Sequence, residues 1–397
     1  MLSFLMLQGN ATPFFSELAV ALRAAGHHVR RIAFNGGDVV FSHDVTWFRG
    51  RQDDLPGFLE KIVDEDRPDA IILFGDCRPI HLVATDIARA RGIAIWVFEE
   101  GYLRPGWITL EPHGVNGFSA LPRDAAAIRE RGRPPWPPMR YNPHSDFLRR
   151  AVYDVSYHGL RVAMTPLFPH ARFHAVVSPF VEYAGWLRDW AGRLLRKPKE
   201  ATLPDGPFML VPMQLDGDYQ LRVHSPFHSM AEALERILVS FARHAPASLS
   251  LVIRRHPLDP RLTDWDGLIG RHARALGIAQ RVYFMADGPL DPVLDASEGI
   301  VTVNSTVGLL ALRRNRPVKI LGEAIYDVEG LTFQKPLDRF WQEASKPDSE
   351  LLDAFCRMLI QEVLVEGDFF TPEGRALAVE GSVRRILSAY SDRARMA

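Results

Sequence analysis

Apolar positions along the chain alternate between short β-branched runs and amphipathic stretches of helical spacing. Residues 3–7 read as a short buried strand, with Gln8-Gly9-Asn10 as the turn after it. Phe14, Leu18, Ala21 and Leu22 recur at helical spacing, and Gly26 stands where a C-cap belongs. A second strand over 29–34 runs into Asn35-Gly36-Gly37-Asp38. A helix over 54–65, a strand over 70–74 ending at Gly75-Asp76, a helix over 81–91 and a strand over 93–98 follow. This β-α-β-α-β order predicts a doubly wound parallel sheet, which places ligands at the carboxyl ends of its strands. The glycines lack the spacing of a dinucleotide fingerprint, so no NAD site is inferred.

After the seventh element the rhythm breaks. Residues 119–148 are rich in Pro and Arg, and Pro134, Pro135, Pro137 and Pro138 exclude a long helix there. Residues 149–198 read as helical, ending in the basic stretch Trp186 to Lys197 with two tryptophans. That composition suits a membrane interface, the alternative being a helix packed on its own domain with solvated basic ends. A turn-rich linker over 204–207 precedes a second alternation: strands at 208–212, 249–253, 282–285, 300–303 and 318–321, and helices at 230–244, 264–276 and 290–296. Helices over 350–365 and 373–390 close the chain. The predicted class is α/β, with two doubly wound (Rossmann-like) domains facing a cleft, GT-B-like, and C-terminal helices. The expected divisions are residues 1–205, with an insertion over 119–200, then 206–345, then a helical segment over 346–397 crossing back to the first domain.

Composition narrows this little. The 397 residues are 47% hydrophobic and 24% charged, a soluble globular profile long enough for two cores. A formal net charge of −1 gives no global attraction to nucleic acid, so no nucleic-acid partner is expected. Cys77 and Cys356 alone make no metal cluster and fit a reducing compartment. The apolar start, residues 1–7, lacks a basic flank and reads as a strand rather than a signal peptide. No apolar run approaches the roughly 20 residues that span a bilayer. The expected location is cytoplasmic, or peripheral to a membrane.

The candidate chemistry sits at the strand ends. Val301 to Leu312 reads as strand, small polar turn and helix start, with Asn304, Ser305, Thr306 and Gly308 in the turn. Hydroxyls, backbone N–H groups and a helix dipole together suit a phosphate, although Ser and Thr are also ordinary N-caps. Arg254, Arg255, His256 and Pro257 end the preceding β-α unit; His256 can donate a hydrogen bond or proton to a leaving phosphate, or simply fill a turn. The loop 214–220 adds Asp216 and Asp218, as a repelled pair with one raised pKa or as turn residues holding local N–H groups. Asp216-Gly217-Asp218 has the form of a DxD motif, which leaves metal binding open on the residues alone. In the first half, Glu99 and Glu100 follow a buried strand, beside Tyr102 and Arg104. They make either a functional acidic loop or an exposed one with Arg104 as its surface partner.

Several of these segments together resemble a known family. They are Gln8-Gly9 with Pro13-Phe14-Phe15, Phe34 to Asp38, Glu99-Glu100-Gly101-Tyr102-Leu103-Arg104-Pro105 with Trp107 to Glu111, Gln214 with Asp218-Tyr219-Gln220, Arg255-His256-Pro257, and Asn304 to Gly308. They span about residues 5–320, and the Glu-Glu-Gly-Tyr-Leu-Arg-Pro string is the specific one. The chain is similar to the bacterial capsule polysaccharide biosynthesis/export family of retaining β-Kdo transferases, of the KpsS/LipB type. The resemblance implies a GT-B-like enzyme, peripheral at the inner face of the inner membrane. Such an enzyme transfers Kdo from CMP-Kdo, with retention, to a (lyso)phosphatidylglycerol-type lipid, starting the linker of a capsular polysaccharide. It implies no cofactor, no divalent metal, and other capsule biosynthesis and export proteins as partners.

Carried over, Asp218 is the candidate nucleophile, with Asp216 as its alternative. Arg255, His256, Pro257, Asn304, Ser305, Thr306 and Gly308 hold the nucleotide phosphate. Glu100 serves acid–base or acceptor work, with Gln8, Gly9, Asn35, Asp38, Glu99, Tyr102 and Arg104 on the acceptor side. Asn304 departs from the small or hydroxyl residue expected there. At 397 residues the chain reads as a single module, which favours the shorter, initiating enzyme. Other readings are a later Kdo or other nucleotide-sugar transfer in capsule assembly, and a non-enzymatic export scaffold.

Overall fold

The computed structural model describes residues 1–41, 44–144, 146–171 and 203–396. The chain divides into two compact units: Met1–Ala120, Pro134–His174 and Arg357–Ala397 form one, and Leu121–Arg133 with Ala175–Cys356 the other. The Trp-bearing basic stretch 186–199 lies outside the described residues.

The first unit is built on a seven-stranded sheet. Its strands are β1 (Ser3–Met6), β2 (His28–Ala33), β3 (Thr46–Trp47), β4 (Ala70–Phe74), β5 (Ala94–Glu100), β6 (Trp107–Pro112) and β12 (Leu364–Glu366). Their spatial order is β12-β6-β5-β4-β1-β2-β3. The chain steps outward from β1 on one side to β2 and on the other to β4, so β1 borders a topological switch point. Alternation along each strand feeds two cores. Phe4, Met6, Ile72, Phe74 and Phe98 pack on one face with Phe14 and Leu18, while Leu5, Leu7, Ile71, Leu73 and Val97 pack on the other with Leu59 and Ile80. Near-continuous apolar strands are what a sheet covered on both faces requires.

The predicted end of β5 differs. The strand continues through Glu99 and Glu100, which pair with Thr109 and Ile108 of the antiparallel β6. The acidic pair is therefore the start of a hairpin, not a free loop. Adjacent strand residues point to opposite faces, so Glu100 shares the face of Phe98 and Glu99 that of Val97. Gly101 is needed at the bend, because a Cβ there would stand 2.0 Å from the Trp107 carbonyl oxygen.

The second unit carries a parallel five-stranded sheet of β7 (Phe208–Pro212), β8 (Ser250–Arg254), β9 (Val282–Met285), β10 (Gly299–Thr302) and β11 (Val318–Ile320). The order β11-β10-β7-β8-β9 puts a second switch point between β7 and β10. One core joins Val211, Leu251, Ile253 and Val301 to Leu234, Ile237 and Phe241 of the helix Met230–His244, and to Phe340 and Trp341. That helix starts at Ser229, whose side chain accepts the Glu232 N–H at 3.2 Å. Of the Pro- and Arg-rich region, Ala125–Arg131 folds as a short helix capped by Asp124, and the prolines beyond it keep it short. Among the described residues, no helix is long and apolar enough to cross a membrane.

Candidate functional site

Three loops of the second unit lie at the carboxyl ends of neighbouring strands, after β10, β7 and β8. The loops after β10 and β7 are tied together at the switch point. The Gln214 side chain accepts the Asn304 backbone N–H at 3.0 Å and donates from Nε2 to Asn304 Oδ1 at 2.7 Å. Asn304 Nδ2 in turn donates to the carbonyls of Gln220, at 2.8 Å, and His224, at 3.3 Å. This explains the unexpected Asn: its amide is the clasp that fixes both loops, and a hydroxyl could not make all three bonds.

Beyond the clasp, Ser305 Oγ accepts the Val307 N–H at 3.2 Å, whereas Thr306 makes no side-chain capping bond. Plain capping therefore accounts for Ser305 and not for Thr306. The turn is held from above by Tyr326, whose hydroxyl donates to the Ser305 carbonyl and whose phenol burial pushes well above its ordinary pKa. Gly308 is the contact point, because a Cβ there would stand 2.1 Å from Tyr326 Oη. Gly308→Ala should cost about 1–3 kcal/mol through this overpacking. A melting curve checks it, and an unchanged Tm would mean that Tyr326 yields freely.

The loop after β8 concentrates cations. Arg254 is buried and donates to the Gly288 carbonyl at 2.7 Å, and burial lowers its pKa. Arg255 Nε donates to the Ala286 carbonyl at 3.1 Å, and its Nη2 lies 3.5 Å from Asp287, which Arg261 also meets at 2.8 Å. His256 is half-buried, and its Nδ1 accepts the Leu258 N–H at 3.1 Å. A ring nitrogen that accepts from an amide is unprotonated, so the neutral imidazole carries its proton on Nε2, as a donor. Pro257 is exposed in the same turn.

The two aspartates are held separately. Asp216 accepts the Met230 N–H at 2.6 Å, at the start of the helix Met230–His244. Asp218 is the N-cap of the short helix Tyr219–Val223 and accepts the Gln220 N–H at 2.9 Å. Each thus has its own backbone donor, the turn role that the sequence left open beside a facing pair.

In the first unit four of the predicted acceptor-side residues, Gln8, Gly9, Asn35 and Asp38, join a polar knot beside β1. Asp38 accepts the backbone N–H groups of Phe34, at 2.8 Å, and Asn35, at 3.2 Å, and donors from Gln8, at 3.1 Å, and Tyr157, at 2.8 Å. Burial raises its pKa and those bonds oppose the rise. Arg78 reaches the Gln8 side chain at 3.1 Å and the Gly9 carbonyl at 3.2 Å. Tyr157, on the helix Phe147–Ala163, was not predicted, and a Cβ on Gly37 would strike its ring at 2.7 Å. The sequence signal for it is Gly37, which leaves its ring room, while Gly36 does the same for Leu160 and Met164.

The hairpin β5–β6 has a clasp of its own. Tyr102 donates to Glu111 at 2.6 Å and accepts the Asn116 N–H at 2.8 Å, while Ser119 donates to the other Glu111 oxygen. Arg104 is exposed and donates to the Gly101 carbonyl at 2.9 Å, so it braces the bend rather than pairing with the acids. Glu99 accepts the Glu100 N–H at 3.0 Å, and the half-buried Glu100 accepts the Thr109 hydroxyl on its carbonyl at 3.1 Å.

Burial pushes Glu111 from 4.5 to about 7, against the hydrogen bonds from Ser119 and Tyr102. Below the unfolded pKa both states carry the proton; between 4.5 and about 7 only the folded state does, so stability falls as pH rises through that window and then levels. The loss is on the order of 3 kcal/mol. Glu111→Gln should flatten this part of a stability-versus-pH curve, and an unchanged slope would assign it to other groups.

A doubly wound unit with a cation-bearing, hydroxyl-bearing switch point offers hydrogen-bond donors and positive charge of the kind that can meet an anionic group. The family description "Capsule polysaccharide biosynthesis protein" matches residues 69–370, and the chain belongs to that family. It is 34% identical over 376 residues to "Capsule polysaccharide export protein KpsS" of Escherichia coli, covering 92% of this chain and 96% of that one. It is also 34% identical over 394 residues to "Capsule polysaccharide modification protein LipB" of Neisseria meningitidis, covering 93% and 92%. Among solved structures, "Thermosulfurimonas dismutans KpsC, beta Kdo 2,7 transferase" covers 98% of this chain and 99% of its own at 12% identity, with a TM-score of 0.47. "Anabaena Alr3699/HepE in complex with UDP and glucose" gives 12% identity and a TM-score of 0.37 over 99% and 100%.

Proposed function

We propose that the protein is a CMP-Kdo-dependent glycosyltransferase that starts the Kdo linker of a capsular polysaccharide on a (lyso)phosphatidylglycerol-type lipid, with retention. The observation that carries the reading is the switch-point site of the second unit. There a clasped Ser305-Thr306 turn, the Arg254–Arg255 pair and the His256 Nε2 donor sit on the ends of neighbouring strands β10, β7 and β8. A leaving nucleotide needs donors where its phosphate gains charge. Membership of a capsule biosynthesis family supports the pathway.

In this reading Asp218 attacks the anomeric carbon of Kdo and displaces CMP, whose phosphate oxygen takes the bonding pair and is stabilised by His256, Arg255, Ser305 and Thr306. The lipid hydroxyl then attacks the glycosyl-enzyme carbon from the other face, giving its proton to a general base as Asp218 leaves. Two inversions give retention. CMP leaves with a single phosphate that cationic side chains can meet, so the reading includes no divalent metal, and EDTA should leave turnover unchanged. The protein works at the inner face of the inner membrane, beside other capsule proteins.

Nucleotide binding tests the site before any turnover. CMP at about 100 times its Kd should stabilise the fold by about 2.7 kcal/mol in a thermal melt. UMP or GMP matching that shift would remove the cytidine assignment.

A further inference from the structure

Three arginines among the described residues are buried: Arg31, Arg254 and Arg375. Two of them have structural work. Arg254 donates to the Gly288 carbonyl, and Arg375 donates to Glu17 at 3.0 Å, to Tyr153 at 2.9 Å and to the Phe370 carbonyl at 2.8 Å. Arg31 is different. Its Nε and Nη1 are enclosed and have no hydrogen-bond partner, and no described carboxylate lies at ion-pair distance from it. Burial lowers its pKa from 12.5 to about 10, so the guanidinium is charged at neutral pH. An enclosed charge without a counter-ion is costly, and a chain that keeps one has a use for it.

Arg31 lies on β2 beside Met6 of β1, on the sheet face that carries Val29 and the helix Phe14–Ala24. The charges that act on it are Asp38, Arg23 and Asp44. Both acids are committed elsewhere. Asp38 is held by Phe34, Asn35, Gln8 and Tyr157 in the polar knot. The Asp44 side chain is 81% exposed and pairs with Arg23 at 2.8 Å. Arg23 also donates to the carbonyl of Val29, two residues before Arg31 on the same strand, at 2.6 Å. Two guanidinium groups therefore repel each other beside β2, and the acid on one of them is a surface acid whose hold is weak.

We propose that Arg31 and Arg23 form an anion site of the first unit, which takes one small oxyanion, a phosphate or carboxylate group, between the two guanidinium groups. The planar fork of an arginine suits such a group, because two parallel N–H bonds meet two of its oxygens. The anion gives Arg31 the acceptor it lacks, offsets the repulsion between the two cations and displaces Asp44 from Arg23. The switch-point loops of the proposed reaction belong to the second unit, so the inference goes beyond that reading and holds whichever sugar is transferred.

The test is two-dimensional NMR of the full chain carrying isotope-labelled arginine, following the side-chain Nε–H signals as inorganic phosphate or formate is added against sodium chloride of equal ionic strength. Arg31→Met and Arg23→Met identify the two signals by removing them one at a time. In the parent both signals should move together and saturate at millimolar anion; which of phosphate and formate acts tells a phosphate site from a carboxylate site. Arg31→Met should lose the response of Arg23 while melting at the parental temperature in anion-free buffer, because an apolar side chain of similar length removes an uncompensated charge. Arg31→Lys keeps the charge without the fork, and should weaken binding roughly ten-fold, which decides the matter if Arg31→Met does not fold. Movement that is linear in concentration or matched by chloride means an adventitious ion only and overturns the proposal, as does a parental response of Arg23 in the Arg31 variants. No sugar nucleotide is present and the signals report on these two residues, so failure here leaves the transferase reading standing, and failure of CMP-Kdo turnover leaves the titration to be read separately.

Discussion

Asp218→Asn is expected to abolish turnover, by about 10³-fold or more, while CMP binding and the melting temperature stay near their parental values. The substitution is chosen because Asp218 has a structural task as well, accepting the Gln220 N–H as an N-cap. Asparagine caps a helix about as well as aspartate, whereas alanine would cost about 1 kcal/mol at this position. Asp218→Asn therefore keeps the cap and removes only the proposed nucleophile. If the aspartate is merely a cap, the Asn variant retains activity and the Ala variant loses a little stability. The same pair at Asp216, which accepts the Met230 N–H, decides between the two carboxylates. Loss of turnover in Asp216→Asn alone would reverse the assignment.

The second large effect is expected at His256. Its Nδ1 accepts the Leu258 N–H, which puts the proton of a neutral ring on Nε2, and the proposed reaction gives that proton to the leaving phosphate. His256→Asn retains an acceptor near the position of Nδ1 and deletes the outer donor. Turnover should fall by about 10²–10³-fold with little change in Tm. His256→Gln restores a donor at longer reach without an acid of suitable pKa, so donor affinity should recover more than kcat. Equal, small effects of both variants on turnover, accompanied by lowered stability, would make His-Pro a turn residue and nothing more.

The sequence made the alternation of the fold readable because both sheets are covered on both sides, which forces uninterrupted apolar runs such as Ala70–Phe74 and Phe208–Pro212. It misled at Glu99 and Glu100, where charged residues inside a strand resemble a loop, although β6 pairs with both. The three loops of the second unit were legible from their positions at strand ends. The groups that lock them were not. Tyr326 covers the Ser305 turn from 21 residues away, and Asp287 meets Arg255 from 32 residues away. Nothing local marks either, since one is a buried phenol and the other an acid in an ordinary turn. Tyr157 is the same case at greater distance, 119 residues from Asp38. A single sequence shows which residues can do chemistry. Packing decides which of them are already committed, as Asn304 is to Gln214 and Glu111 to Tyr102.

The most direct test of the central claim is incubation of the purified protein with CMP-Kdo and a short-chain phosphatidylglycerol, following CMP release together with the mass and anomeric configuration of the lipid product. The account predicts CMP release in step with a lipid that has gained one β-linked Kdo, and neither in the Asp218→Asn variant. A lipid left unmodified with CMP-Kdo but glycosylated from another nucleotide sugar, or an α-linked product, would contradict it.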